Sequence, residues 1–152
     1  MQDEPKDRAA ISRSKIGGET PMVVSEIADT VLYSGFFGAL DSARVQIITE
    51  KILEMTSVVG AEHVIIDVST LESIDSSVAG RLVKLSESVR LLGAEVVFCG
   101  IRPIIAQTMG EVGTNLGVLV IKKDLKTALD YVYMRQGLML VKREGGPVEV
   151  QL

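Results

Sequence analysis

The apolar positions of this chain follow two periods, and each change of period marks a new element. Pro21–Ile27 and Thr30–Phe36 carry the β-branched and aromatic residues of strands. Only Ala28-Asp29 separates them, so they predict a hairpin at the antiparallel edge of a mixed sheet. From Asp41 the spacing lengthens. Val45, Ile48, Ile52, Met55 and Val59 recur at steps of three and four, the stripe of a core-facing helix, with Asp41 and Ser42 as caps and Gly60 as its end. Ile47 and Val58 fall nearly opposite that stripe and are candidates for a partner surface.

His63-Val-Ile-Ile-Asp-Val is a β-branched run of the kind found in a strand covered on both faces, and so predicts a central position in a mainly parallel sheet. After a loop ending at Asp75, a second helix places Val78, Leu82, Leu85, Val89 and Leu92 inward and has Gly93 as its C′ residue. Ala94–Cys99 is the next strand and Gly100-Ile-Arg-Pro103 the turn after it. Pro103 suits the first position of a helix with Ile105, Met109 and Val112 inward, closed by Gly113. Gly117–Ile121 predicts a last buried strand. Asp124 then caps a helix with Leu125, Ala128, Leu129 and Val132 inward. Strand–helix alternation of this kind implies right-handed parallel crossovers, so the loops after the strands open at one sheet edge. The expected class is α/β, with a mixed, mostly parallel sheet of about five strands and about four helices.

The ends have neither period. Residues 1–20 are polar and charged around a Gly17-Gly18 pair and are expected to form a mobile tail. Residues 134–152 hold Leu138-Met-Leu-Val141 and a Gly145-Gly-Pro147 breaker; they could extend the sheet, dock on a neighbour or stay loose. The folded domain is therefore expected over 21–133, with no room beside it for a sensory module in a chain of 152 residues.

Charge and composition narrow the function. A net charge of −4 and a pI near 5.1 argue against a nucleic-acid surface, which needs a concentrated basic face. A mean hydropathy of +0.31 is high for a chain with 24% charged residues and hints at buried interface. The one cysteine, Cys99, reads as a small core hydrophobe in a reducing compartment. No basic leader or membrane-length apolar run is present, so cytoplasmic residence and no membrane contact are expected.

The chemistry concentrates around Asp75-Ser76-Ser77. Asp75 is a good N-cap, and the first helical turn after it favours negative charge, so a phosphate on Ser76 would be tolerated there. The loop also lies at the C-terminal edge of the sheet, where open α/β folds place their working surface. Arg102 should be its neighbour. A cation at a helix start is unfavourable by a few tenths to about 1 kcal/mol, which invites a functional reason for Arg102. Arg81, Lys84 and Arg90 give the second helix a charged outer face. An enzymatic reading finds little support. The single histidine, His63, opens a strand, no phosphate-cradling glycine loop is present, and Asp67 with Asp75 as magnesium ligands of a phosphatase is the best alternative. No cofactor or metal is expected.

Asp67-Val-Ser with Ile74-Asp75-Ser76-Ser77 resembles the signature of STAS domains, the fold of anti-sigma-factor antagonists. Ser86–Ala94 followed by Gly100-Ile-Arg-Pro-Ile-Ile-Ala-Gln-Thr108 is similar to the RsbR and RsbS type, which assembles into the bacterial stressosome. The resemblance runs from about Pro21 to about Val132. It implies a non-enzymatic phospho-switch in which Ser76 is phosphorylated by a serine/threonine switch kinase, with Thr108 as a second acceptor. It further implies that Asp75, Ser77, Arg81 and Arg102 meet the partner, and that the chain packs with itself and with related STAS proteins. Val78 stands where the spore-type antagonists have glycine. This favours the stressosome class over the alternative, a free antagonist binding an anti-sigma kinase directly.

Overall fold

A computed structural model describes residues 22–112 and 119–146. Strands β1 (Met22–Ala28) and β2 (Val31–Phe36) form the expected hairpin, with Met22 opposite Phe36 and Glu26 opposite Leu32. The other main strands, β4 (His63–Asp67), β6 (Glu95–Cys99) and β7 (Val120–Lys122), are parallel to β2, and the sheet order is β1-β2-β4-β6-β7. Helices α1 (Ser42–Val59), α2 (Ser76–Leu91), α3 (Pro103–Glu111) and α4 (Leu125–Arg135) complete the domain. The mixed five-stranded sheet and four helices match the class expected from the sequence.

Alternation along each strand divides the core into two layers. Leu32, Phe36, Val64, Ile66, Val96 and Phe98 face α1, α2 and α3. Val31, Ile65, Val97 and Cys99 face the other way, towards Ala128 and Val132 of α4. β4 lies between β2 and β6 and contributes to both layers, which is why its sequence is apolar without a break. Ile65, Ile66 and Phe98 are fully buried, each worth ~1.5–3 kcal/mol of transfer free energy. Cys99 lies in this interior, where burial, and secondarily the Asp67 and Asp124 charges, push its thiol up to about 12.

The helix ends follow the capping residues. Asp41, Asp75 and Asp124 each accept a backbone N–H three residues on, at 2.8 Å in all three cases. Gly60 closes α1 at φ 67°, and Gly93 follows the end of α2 at φ 85°. Pro103 takes the first position of α3 after Arg102, whose side chain makes no cap bond.

Several positions differ from the sequence expectation. β7 is an edge strand rather than a buried one, because it has β6 as its only strand neighbour among the described residues; Ile121 is 45% exposed. The first part of the expected Gly117–Ile121 strand, and Gly113, lie outside the described residues. Leu92 is exposed because it caps α2 beyond the packed stripe, while Ala79 and Val83 widen that stripe. In α1, Met55 and Val59 only flank the core, and Thr56 is buried with its hydroxyl donating to the Ile52 carbonyl. Ile47 is half-buried and Val58 exposed. Two very short strands, β3 (Gly38–Ala39) and β5 (Leu71–Ser73), pair parallel to each other and had no sequence signal, being too short to show a period.

His63 opens β4, as expected, but it is buried, at the end of the sheet where the Thr30 carbonyl accepts the Glu62 and His63 N–H groups. Burial lowers its pKa below the usual histidine range, against the opposing pull of Glu95 and Glu62. The unfolded chain therefore binds this proton at a higher pH than the folded one. The corresponding stability is fully present above the ordinary histidine pKa and is lost as pH falls below it. Denaturation midpoints measured between pH 7 and pH 5 should fall more steeply for wild type than for His63→Gln; equal slopes would show that His63 carries none of the acid sensitivity.

Candidate functional site

The candidate site grows out of the C-terminal end of β4. Asp67, the last residue of that strand, uses both carboxylate oxygens to hold the chain that follows: one accepts the Ser69 N–H at 2.9 Å and the other the Tyr33 hydroxyl at 3.0 Å. Burial, and then the hydrogen bond to Asp67, push the Tyr33 phenol up to about 12, so it stays protonated and donating at neutral pH. The same turn is pinned from the β6 side. The Val68 N–H donates to the Cys99 carbonyl, and Gly100, at φ 72°, lies so close that an added Cβ would meet the Ser69 Cβ at 2.7 Å and an Asp67 carboxylate oxygen at 2.9 Å.

Beyond this turn, β5 pairs with β3, with Leu71 opposite Gly38 and Ser73 opposite Ala39. The Thr70 hydroxyl donates to the Phe36 carbonyl. Leu71 is fully buried and Ile74 packs against the core, so the segment before the helix is held at both ends. Asp75 then caps α2 by accepting the Val78 N–H. Ser76 and Ser77 begin the helix and both are exposed.

The two serines are not equivalent. The Ser77 Oγ lies 3.4 Å from the Ser42 Oγ in the first turn of α1, so it is held between two helix starts. Ser76 makes no side-chain hydrogen bond among the described residues and is exposed. Sequence reasoning did not find the Ser42 partner, because the contact depends on how α1 and α2 pack side by side.

Arg102 reaches this segment as expected: its guanidinium donates to the Glu72 carbonyl at 3.4 Å. Arg81 instead turns along the helix pair and donates to Gln46 of α1 at 3.4 Å. Thr108 lies in the middle of α3, half-buried, with its hydroxyl donating to the Ile104 carbonyl at 3.2 Å. It makes no hydrogen bond to the Asp75–Ser77 turn among the described residues, although α3 packs against α2. Phe37 and Ile104 are exposed at the same edge of the sheet. Neither drew attention in the sequence, since an isolated apolar residue gives no pattern.

The carboxylates do structural work. Asp67 braces the turn and Asp75 caps a helix. Among the described residues no group of three or more His, Cys, Asp or Glu side chains gathers as a metal ion would require. The geometry offers an exposed hydroxyl on a rigid rim at a positive helix end, an arrangement suited to accepting a charged group.

The rim predicts its own sensitivity to substitution. Gly93 and Gly100 both have positive φ, but only Gly100 has close neighbours. Gly93→Ala should therefore cost ~1–2 kcal/mol from the left-handed backbone alone, and Gly100→Ala clearly more, as read by urea denaturation. Equal costs would mean that the turn yields freely to the added methyl.

Comparison with known proteins adds to this picture. The STAS domain family matches residues 23–128. The RsbT co-antagonist protein RsbRB of Bacillus subtilis is 36% identical over 94 residues, which cover 62% of this chain and 34% of that protein. The chain thus spans about a third of that relative's length. Among solved structures, a single-substitution variant of Moorella thermoacetica RsbS superposes with a TM-score of 0.67 at 27% identity, covering 76% of this chain and 97% of that one. A chain from the molecular architecture of the stressosome, a signal integration and transduction hub, gives 0.60 at 27% identity, covering 74% and 97%. With the fold, the aspartate–serine turn and these matches in agreement, the chain belongs to the STAS domain family.

Proposed function

We propose that this chain is a non-enzymatic phospho-switch of the stressosome class, with Ser76 as its principal acceptor. The observation that carries this reading is the inequality of the two serines: Ser77 is tied to Ser42, whereas Ser76 presents a free hydroxyl at the first position of α2. Its partner is a serine/threonine switch kinase. Relatives named as RsbT co-antagonists, and a structural neighbour from the stressosome, support that assignment.

In the unphosphorylated state the rim formed by Asp75, Ser76, Ser77 and Arg102 binds the kinase. Phosphorylation adds ~1.5–2 negative charges. The helix end stabilises that charge within the domain, but a partner shaped to the neutral hydroxyl must then accommodate a dianion, and is released. Thr108 is a second acceptor. Its hydroxyl must first give up the bond to the Ile104 carbonyl, a cost of ~1 kcal/mol, which makes it the slower site. The chain also assembles with itself and with related STAS proteins, and it works in the cytoplasm without a cofactor. Among the described residues no helix is long and apolar enough to cross a membrane.

Incubating the protein with its switch kinase and ATP, then locating phosphate by mass spectrometry, tests the reading. Ser76→Ala should lose most phosphorylation and keep its melting temperature, while Ser76→Asp should weaken kinase capture about tenfold or more. Ser76→Ala phosphorylated at the wild-type rate would overturn the assignment. The isolated chain should show no turnover of phosphate esters. Magnesium-dependent hydrolysis lost on Asp67→Asn or Asp75→Asn would replace the switch with a phosphatase.

A further inference from the structure

The exposed apolar side chains are not spread evenly over the domain. Phe37 and Ile104 lie on the Ser76 rim, and Ile121 lies on the β7 edge. The other large exposed hydrophobics cluster at the opposite pole, where the parallel strands begin and α1, α2 and α4 end. There Leu91 is 89% exposed, Met134 67%, and Leu138, Met139, Leu140 and Val141 between 57% and 80%. Leu91 and Met134 belong to opposite layers of the sheet, but Leu138–Val141 is an unbroken run of four exposed apolar residues, and such a run marks an interaction site because isolated exposed residues are ordinary whereas adjacent ones are costly to leave wet.

The start of this run is held in place. Gly137 turns the chain at φ 75°, the Leu138 N–H donates to the Tyr133 carbonyl at 2.8 Å, and the Gln136 amide bonds the Asp29 carbonyl and the Thr30 hydroxyl at 3.4 and 3.0 Å. Leu138–Val141 therefore leaves α4 beside the β1–β2 turn and yet stays largely exposed. Charge follows the same order on both surfaces. The apolar run leads into Lys142-Arg143, which make no ion pair among the described residues. The exposed Ile27 at the end of β1 lies next to exposed Asp29 and, across the Thr30 contact, exposed Glu62.

From this match we infer that the occupant of this pole is a second copy of the chain, joined reciprocally. Leu138–Val141 of each copy covers Ile27 and its surroundings on the other, and Lys142-Arg143 of each meets Asp29 and Glu62 of the other. A two-fold arrangement satisfies both halves at once, since the donor segment and the acceptor surface occur in the same chain. Apolar contact supplies the affinity and the charge order sets the register. The surface lies at the pole opposite Ser76, so pairing leaves the kinase-facing rim open. This inference rests on the reading that the chain self-associates, and it adds where.

Sedimentation velocity at tens of micromolar separates the two claims. Wild type should be a dimer. Replacing residues 138–141 with serine should weaken dimerisation at least tenfold, and so should either Lys142→Glu with Arg143→Glu or Asp29→Lys with Glu62→Lys. All of these positions are exposed, so circular dichroism and melting temperature should stay near wild type. An equimolar mixture of the two charge-reversed proteins should recover the dimer. A monomeric wild type would remove self-association itself. A wild-type dimer indifferent to every substitution would leave self-association standing and remove this surface. Charge-reversed variants that stay monomeric when mixed would place the contact within one chain and overturn the pairing between copies.

Discussion

Everything in this domain depends on burying β4 on both of its faces. A parallel strand can satisfy its backbone only between two neighbours, and its side chains only between two layers of helix. The run Val64-Ile65-Ile66 meets both demands at once: Val64 and Ile66 serve the layer under α1 and α2, and Ile65 the layer under α4. Because β4 is fixed in this way, Asp67 at its end is fixed too, and with it the turn that presents Ser76.

The working edge is built as a series of short braces rather than as a pocket. Tyr33 holds Asp67, Asp67 holds Ser69, β3 holds β5, and Asp75 holds the first turn of α2. Each brace is worth only about 1 kcal/mol, but together they leave little freedom between the sheet and the first helical turn. Rigidity here suits recognition, since a partner meeting a pre-formed rim loses little free energy in ordering it.

Much of this was legible in the sequence, and the parts that were not share a cause. The hairpin, the helical stripes and the three aspartate caps are local patterns, and each was recovered from spacing alone. The Asp75-Ser76 turn could be placed at the sheet edge because strand–helix alternation fixes that edge. The β3–β5 pair, the Ser42–Ser77 contact and the Tyr33–Asp67 bond join residues more than thirty positions apart and leave no periodic trace. Leu92 was misplaced for a related reason: the helical period continues on paper after the helix has ended, and nothing local distinguishes a last core position from an exposed cap. The edge position of β7 likewise depends on what does not pair with it.

The spacing of the central strands also constrains how the chain reaches this fold. Val31 pairs with His63 and His63 with Glu95, so β2–β4 and β4–β6 close loops of equal length and cost nearly the same in chain entropy. Only the β1–β2 hairpin is local, and hairpins close in microseconds. Both closures use β4 as a partner, so neither can be completed before that strand is in place. A strand that is central in space thus becomes central in time, as the step on which both halves of the sheet wait.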